Sequence, residues 1–260
     1  MKRMAWVVLL LGAAELGSGL GSAQTMNADE IVRRVMQHDA MRRDALIRYG
    51  SERTYEMDYK GPIGVRHARM QVRMDYSAPD SKKFTVLSET GSTVFCHQVI
   101  SRLMEGEREG ALEGNRLRSM LSPENDRLEL LGEEMFAGEK TWVLQVTPKD
   151  ENRFNYKGKV WVSEQDFVVM RIVGAPAKNP TWLMGSSNFD YTYAKDGEFW
   201  LPAKNHTVSR LRIGGEITLS VDYGQYEVVA AGRPSGVISA ANHGAGGRGA
   251  VTGVAVSLPQ

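Results

Sequence analysis

Three groups of residues in this sequence have types and spacings that could do chemistry. Gly244, Gly246 and Gly249, in "GAGGRG", match the glycine pattern of a dinucleotide-binding turn. That turn needs a strand before it, a helix after it and an acidic residue further on. No Asp or Glu follows these glycines, so the match is read as chance. Cys96-His97 pairs a nucleophile with a base, but both sit in a helical pattern, where neighbours diverge by about 100° and cannot converge on one substrate atom. They read as a half-buried cysteine beside a surface histidine. His38, His67, His206 and His243 are scattered without zinc-ligand spacing. The paired carboxylates Glu133 and Glu134 read as a solvated strand end. No nucleophile elbow or phosphate-binding loop follows residue 23. The expectation is therefore no catalytic residues, no metal and no cofactor, in a protein that is not an enzyme.

The apolar residues carry more. In "ARMQVRMDY", residues 68–76, Ala68, Met70, Val72, Met74 and Tyr76 fall on one side of a strand and Arg69, Gln71, Arg73 and Asp75 on the other. Methionine adapts to irregular partners as readily as to gaps in a core, so this side faces either packing or a greasy cargo. Trp142, Leu144 and Val146 share a face opposite Val143. Val160 and Val162 oppose Trp161, and Phe167, Val169 and Val173 oppose Val168, Met170 and Ile172. Apolar residues on both faces suggest a sheet covered in places on both sides. Trp182, Leu183 and Met184 lie in a loop flanked by Pro180 and Gly185, where large apolar side chains either plug a core or close over a ligand.

The elements that must position these residues follow from periodicity. Asn27 caps a helix, with Glu30 completing a capping-box-like pair, and Ile31, Val32, Val35 and Met36 recur at helical spacing towards Asp44. Tyr55, Met57 and Tyr59 then alternate with acids, "KGPIG" turns the chain, and "KFTVLSE" makes a third strand after "SAPDSK". Residues 92–105 return to a helical pattern, with Val94, Phe95, Val99 and Leu103 as the expected apolar stripe and a polar loop after it. Further strands follow at regular spacing from 126 to 229, with tight hairpins expected at Ala137-Gly138, Asp196-Gly197 and Gly214-Gly215. The fold class expected is mainly β (α+β): a curved antiparallel sheet or incomplete β-barrel with helices covering the concave face.

Lys2 and Arg3, the apolar run "MAWVVLLLGAA" and the small residues "GSA" at 21–23 have the order of a secretory signal peptide, 1–23, with an uncleaved anchor as the alternative. Without Lys2, Arg3 and Glu15, the 32 basic and 31 acidic residues become 30 of each. A neutral chain has no global electrostatic footprint for nucleic acid. One cysteine excludes an internal disulfide. Residues 230–260, rich in Gly, Ala and Ser without period, read as a flexible tail, which leaves 24–229 as the folded domain.

"LSPEN" at 121–125, "LELLGEEMFAGEKTWVLQVTPK" at 128–149, "KGKVWVSEQDFVVMRIVG" at 157–174 and "EFWLP" at 198–202 occur in an order that resembles the LolA-like family of outer-membrane lipoprotein-sorting proteins. The resemblance spans about 27–229. It implies an incomplete antiparallel barrel whose concave apolar cavity receives acyl chains, in the periplasm of a Gram-negative-type cell. It also implies inner- and outer-membrane transfer proteins as partners, and a monomer is expected. On this reading Met57, Met70, Val72, Met74, Phe84, Val86, Trp142, Leu144, Trp161, Trp182, Leu183 and Met184 line the lipid site. The expected function is a periplasmic carrier of lipoprotein or other lipid acyl chains. The alternatives are a lipid sensor or adaptor of the same fold that binds a membrane protein, and, third, a lipid esterase.

Overall fold

The computed structural model describes residues 26–231; the expected leader and the tail beyond Ala231 lie outside the described residues. Helix α1, Ala28–Ala45, starts where the sequence places it. Asn27 Oδ1 accepts the Glu30 N–H at 2.8 Å. The reciprocal half of the capping box does not form, because the Glu30 carboxylate instead accepts from Arg34 Nε one turn on, at 3.0 Å. Asn27→Ala should therefore cost about 1 kcal/mol, read as a fall in the urea midpoint with unchanged m.

Ten strands follow: β1 Leu46–Gly61, β2 Gly64–Ser77, β3 Ser81–Gly91, β4 Asp126–Phe136, β5 Glu139–Pro148, β6 Tyr156–Ser163, β7 Val169–Pro176, β8 Met184–Asp196, β9 Phe199–Leu211 and β10 Glu216–Ala230. They form one antiparallel sheet in the order β3-β2-β1-β10-β9-β8-β7-β6-β5-β4. β3 and β4 are its two edges, so the sheet is open and does not close into a barrel. The expected hairpin at Ala137-Gly138 has both residues at positive φ, 50° and 84°, the twist that a two-residue connection needs.

The curvature of the sheet accords with the cluster that α1 joins. Ala28, Ile31, Val32 and Val35 pack in one cluster with Leu128 and Leu130 of β4, Leu144 of β5, Val160 of β6, Ile172 of β7, Tyr191 of β8 and Trp200 of β9. Six strands span about 24 Å when flat, while a helix is about 10 Å wide. A curved sheet brings side chains of all six strands into one cluster with the helix.

The other half of the concave face is covered by a helical strap after β3. It comprises α2 (Thr93–Phe95), a π-helical turn (Cys96–Ile100) and α3 (Ser101–Ala111), and α4 (Glu113–Ser119) follows. Two sequence expectations change here. The buried line is Cys96, Ile100 and Met104, while Val94 is exposed and Phe95, Val99 and Leu103 are half-buried. Residues 106–119, expected as a polar loop, are almost entirely helical. The buried line keeps i, i+4 spacing and sits one position on from the expected Phe95, Val99 and Leu103. The small residues Gly106, Gly110 and Ala111, which lower the helical signal, are buried where the strap comes close to its neighbours.

Candidate functional site

Along β1, Ser51, Arg53, Tyr55, Met57 and Tyr59 are all buried on one face, in alternation with Glu52, Thr54, Glu56 and Asp58. The ladder sets their neighbours: Met57 opposite Ala68 and Leu219, Tyr55 opposite Met70 and Val221, Arg53 opposite Val72 and Tyr223. Met57, Met70 and Val72 are fully buried beneath Cys96, Ile100 and Met104 of the strap. Met74, also fully buried, belongs to the adjoining cluster with Tyr49, Tyr76 and Leu201.

Three charges sit in this apolar wall. Arg53 Nη1 donates to Glu107 Oε2 at 2.7 Å, and Lys82 Nζ donates to Glu107 Oε1, also at 2.7 Å. Their side chains are 1 %, 8 % and 7 % exposed for Arg53, Lys82 and Glu107. The Arg53 guanidinium also lies 4.6 Å from the Tyr223 ring centroid and 5.7 Å from that of Phe84. Its Nε has no hydrogen-bond partner among the described residues. Burial alone would raise the Glu107 pKa, but Arg53 and Lys82 outweigh it and hold the carboxyl at about 2. Burial pushes the Tyr55 phenol up to about 12, and it drives Tyr191, Tyr193, Tyr223 and Tyr226 upward too. The centre of the concave face therefore holds two cations, one anion and a set of neutral phenols.

Lys82 comes from edge strand β3, Arg53 from β1 two strands further in, and Glu107 from the strap. Glu107 is thus a polar link that fastens the strap to the sheet. An isolated buried charge is costly, whereas a paired and hydrogen-bonded one is tolerated. Lifting the strap breaks two short charged contacts at once and exposes the methionine wall. Among the described residues no group of three or more His, Cys, Asp or Glu could hold a metal ion. Cys96 is buried, and His97 turns outward to Glu89, at 3.1 Å.

Solved structures similar to this chain share little of its sequence. One solved structure, a domain from Vibrio parahaemolyticus described as an outer membrane lipoprotein-sorting protein, is 15 % identical, with 80 % of this chain and 94 % of that one covered, at a TM-score of 0.43. A LolA superfamily protein from Nitrosomonas europaea is 13 % identical, covering 75 % and 92 %, at 0.36. A DUF1329 family protein from Desulfovibrio piger is 13 % identical, covering 79 % and 92 %, at 0.35. No family model matches the chain, and no curated relative does.

The structure brings some of the expected lipid-site residues together and separates others. Met57, Met70, Val72 and Met74 share the concave wall, and Phe84 packs against the same side chains. Trp142 and Leu144 lie in the α1 cluster, at the other half of the face. Val86 pairs with Val72 but is exposed on edge strand β3. Trp161 lies on the opposite, convex face. It pairs there with Val143 and Arg171, and its Nε1 donates to Glu134 Oε2 at 2.8 Å. The apolar convex residues therefore cover a guanidinium–indole contact, with Arg171 5.0 Å above the Trp161 ring. Trp182 is exposed, and Leu183 and Met184 are half-buried, at one end of the sheet. Arg53, Lys82 and Glu107 are the residues sequence reading missed. Arg53 continues the Tyr55-Met57-Tyr59 alternation. Glu107 continues the spacing of Ile100 and Met104. Both signals were present.

Proposed function

We propose that this protein is a periplasmic carrier that takes up acyl chains of lipoproteins or other lipids against the concave face and passes them towards the outer membrane. The observation that supports it is the construction of that face. A wall of fully buried methionine and valine is covered by a separate helical strap, which a charged trio fastens to the sheet. The energies are compatible with exchange. Each buried methylene of an acyl chain is worth about 0.8 kcal/mol, so a long chain supplies on the order of 10 kcal/mol before ordering costs. Removing one partner of a buried ion pair costs about 3–5 kcal/mol, an upper bound for separating the trio when the lifted strap lets its charges rehydrate. A cargo chain can therefore offset the release of the strap, while a short solute cannot.

The test is native mass spectrometry of the protein purified gently from its host, followed by uptake of a fluorescent acyl probe. Met70→Leu with Met74→Leu should keep uptake, because volume and polarity are nearly conserved. Met70→Gln with Met74→Gln should weaken it at least about tenfold, since each buried amide without a partner costs about 1–3 kcal/mol. Unchanged uptake by a folded double-Gln variant would remove this wall from the cargo path.

A second reading, a lipid sensor or adaptor that binds a membrane-protein partner, draws support from the sheet's unpaired edges. Val86 and Leu87 on β3, and Leu131 and Met135 on β4, are exposed beside backbone groups that can accept another strand. A stable protein complex without transfer of lipid would favour it over the carrier.

A further inference from the structure

Four of the exposed large apolar side chains gather at one end of the sheet. Ile63 and Val65 are each 64 % exposed, Ile213 is 63 % exposed and Trp182 is 76 % exposed. They come from three different connections: the β1–β2 hairpin, the β9–β10 hairpin and the loop before β8. Backbone contacts place these connections side by side. Lys60 pairs with Glu216, and a Cβ on Gly214, whose φ is +90°, would stand 3.1 Å from Pro62 Cγ. The Arg212 N–H donates to Leu183 O at 2.8 Å, and Arg212 Nε donates to Met184 O at 3.3 Å. One end of the sheet thus presents an apolar tip built from three loops.

Charge around this tip has one dominant sign. Across residues 59–66, 177–185 and 209–216 the basic residues are Lys60, Arg66, Lys178, Arg210 and Arg212, and the only acid is Glu216. Glu216 is paired with Arg210 at 3.3 Å. All five basic residues are exposed. The chain as a whole has 32 basic and 31 acidic residues, so the remainder is slightly acidic and the net positive rim is a local feature. Apolar side chains encircled by Lys and Arg, with an indole among them, suit a surface that is negative at the headgroups and apolar just beneath.

We infer that the tip formed by residues 59–66, 177–185 and 209–216 docks on an anionic lipid bilayer, with Ile63, Val65, Trp182 and Ile213 entering the headgroup boundary. This rests on the lipid-carrier reading for its purpose, since it gives the carrier a way to meet the membrane where cargo lies. The tip also adjoins the strap. The Tyr59 ring packs against Gly61 and Gly215 of the tip, where a Cβ on Gly215 would stand 2.7 Å from Tyr59 Cε2. The same ring lies 5.8 Å from that of Phe95, in the strap's first turn. A contact made at the tip is therefore one side chain away from the element that covers the wall.

The experiment is flotation of the purified protein with vesicles of phosphatidylcholine alone, or of phosphatidylcholine mixed with phosphatidylglycerol. Binding to the mixed vesicles, weakened by salt and absent from phosphatidylcholine alone, is expected. Arg66→Gln with Arg212→Gln should weaken it about thirtyfold, at about fivefold for each basic residue. Ile63→Ser with Ile213→Ser should weaken it about tenfold or more. Acyl-probe uptake in solution is measured on the same proteins and should be unchanged, because none of these four side chains reaches the concave wall. Failure of wild type to bind either vesicle, or equal binding by all variants, overturns the docking surface whatever the uptake result. Self-association lost in the isoleucine variants, without vesicle binding, overturns it in favour of a contact between copies. Loss of uptake in wild type overturns the carrier reading alone.

Discussion

Glu107→Gln should lower the stability of the fold by about 3–5 kcal/mol at neutral pH, because it leaves Arg53 and Lys82 buried with no counter-charge. Glutamine keeps the size and one acceptor, so the loss reads the charge and not a cavity. Replacing all three residues with apolar ones of similar volume should recover most of it, since an apolar interior needs no pairing. The pH dependence follows from the same contacts. The Glu107 carboxyl is depressed from its ordinary 4.5 to about 2 in the folded state. A depressed carboxylate stabilises the fold fully above its unfolded pKa and loses that contribution as pH falls through the folded one. The contribution, about 3 kcal/mol, is therefore complete above pH 4.5 and disappears towards pH 2. Urea unfolding of wild type and variant should diverge at pH 7 and converge as the acid limit is approached. A difference under about 1 kcal/mol at pH 7 would mean that the trio does not fasten the strap.

The strands were legible because this sheet buries one face along most of its length. Period-two patterns over Tyr55-Met57-Tyr59 and Ala68 to Tyr76 gave both element and inward side, and the turn residues between strands gave the antiparallel order. The helix at Asn27 was legible from its cap and its apolar spacing. What failed did so for local physical reasons. Gly106 and Gly110 made α3 look like loop, although both are buried in close packing. The buried stripe is Cys96, Ile100 and Met104, with the same helical spacing as Phe95, Val99 and Leu103 but one residue on, a choice of phase that apolar periodicity alone did not decide. Arg53 and Glu107 were invisible as long as charge was equated with exposure. Their positions in otherwise apolar alternations were the clue. Trp161 was sorted by size when its strand parity already put it opposite Val160 and Val162. Trp182 was weighed between core and ligand lid; it is exposed at the sheet's end, which removes the core reading and which loop composition alone does not disclose.

Cys96 turns the strap into something measurable. It is the chain's only cysteine, and it is buried on the inward side of the strap's first turns. Burial also raises its pKa, which further slows reaction of the closed form. A thiol reagent should therefore modify the empty protein slowly, through a minor population in which the strap has lifted. When opening is fast relative to modification, the rate follows that population. Glu107→Gln removes the fastening, and about 3 kcal/mol corresponds to on the order of a hundredfold faster modification. A long-chain acyl ligand should accelerate it too, because bound cargo and closed strap compete for Met57, Met70 and Val72. Global unfolding is separated from strap opening by low concentrations of urea. Local opening exposes little surface and is nearly insensitive, whereas unfolding accelerates with the full m value. Fast, urea-insensitive labelling in Glu107→Gln and in the acyl-loaded protein would identify the strap as the moving cover of the concave face. Labelling that ignores the ligand and tracks urea with full sensitivity would make the strap a fixed part of the core. The methionine wall would then be packing alone, and the partner-binding reading would take the carrier's place.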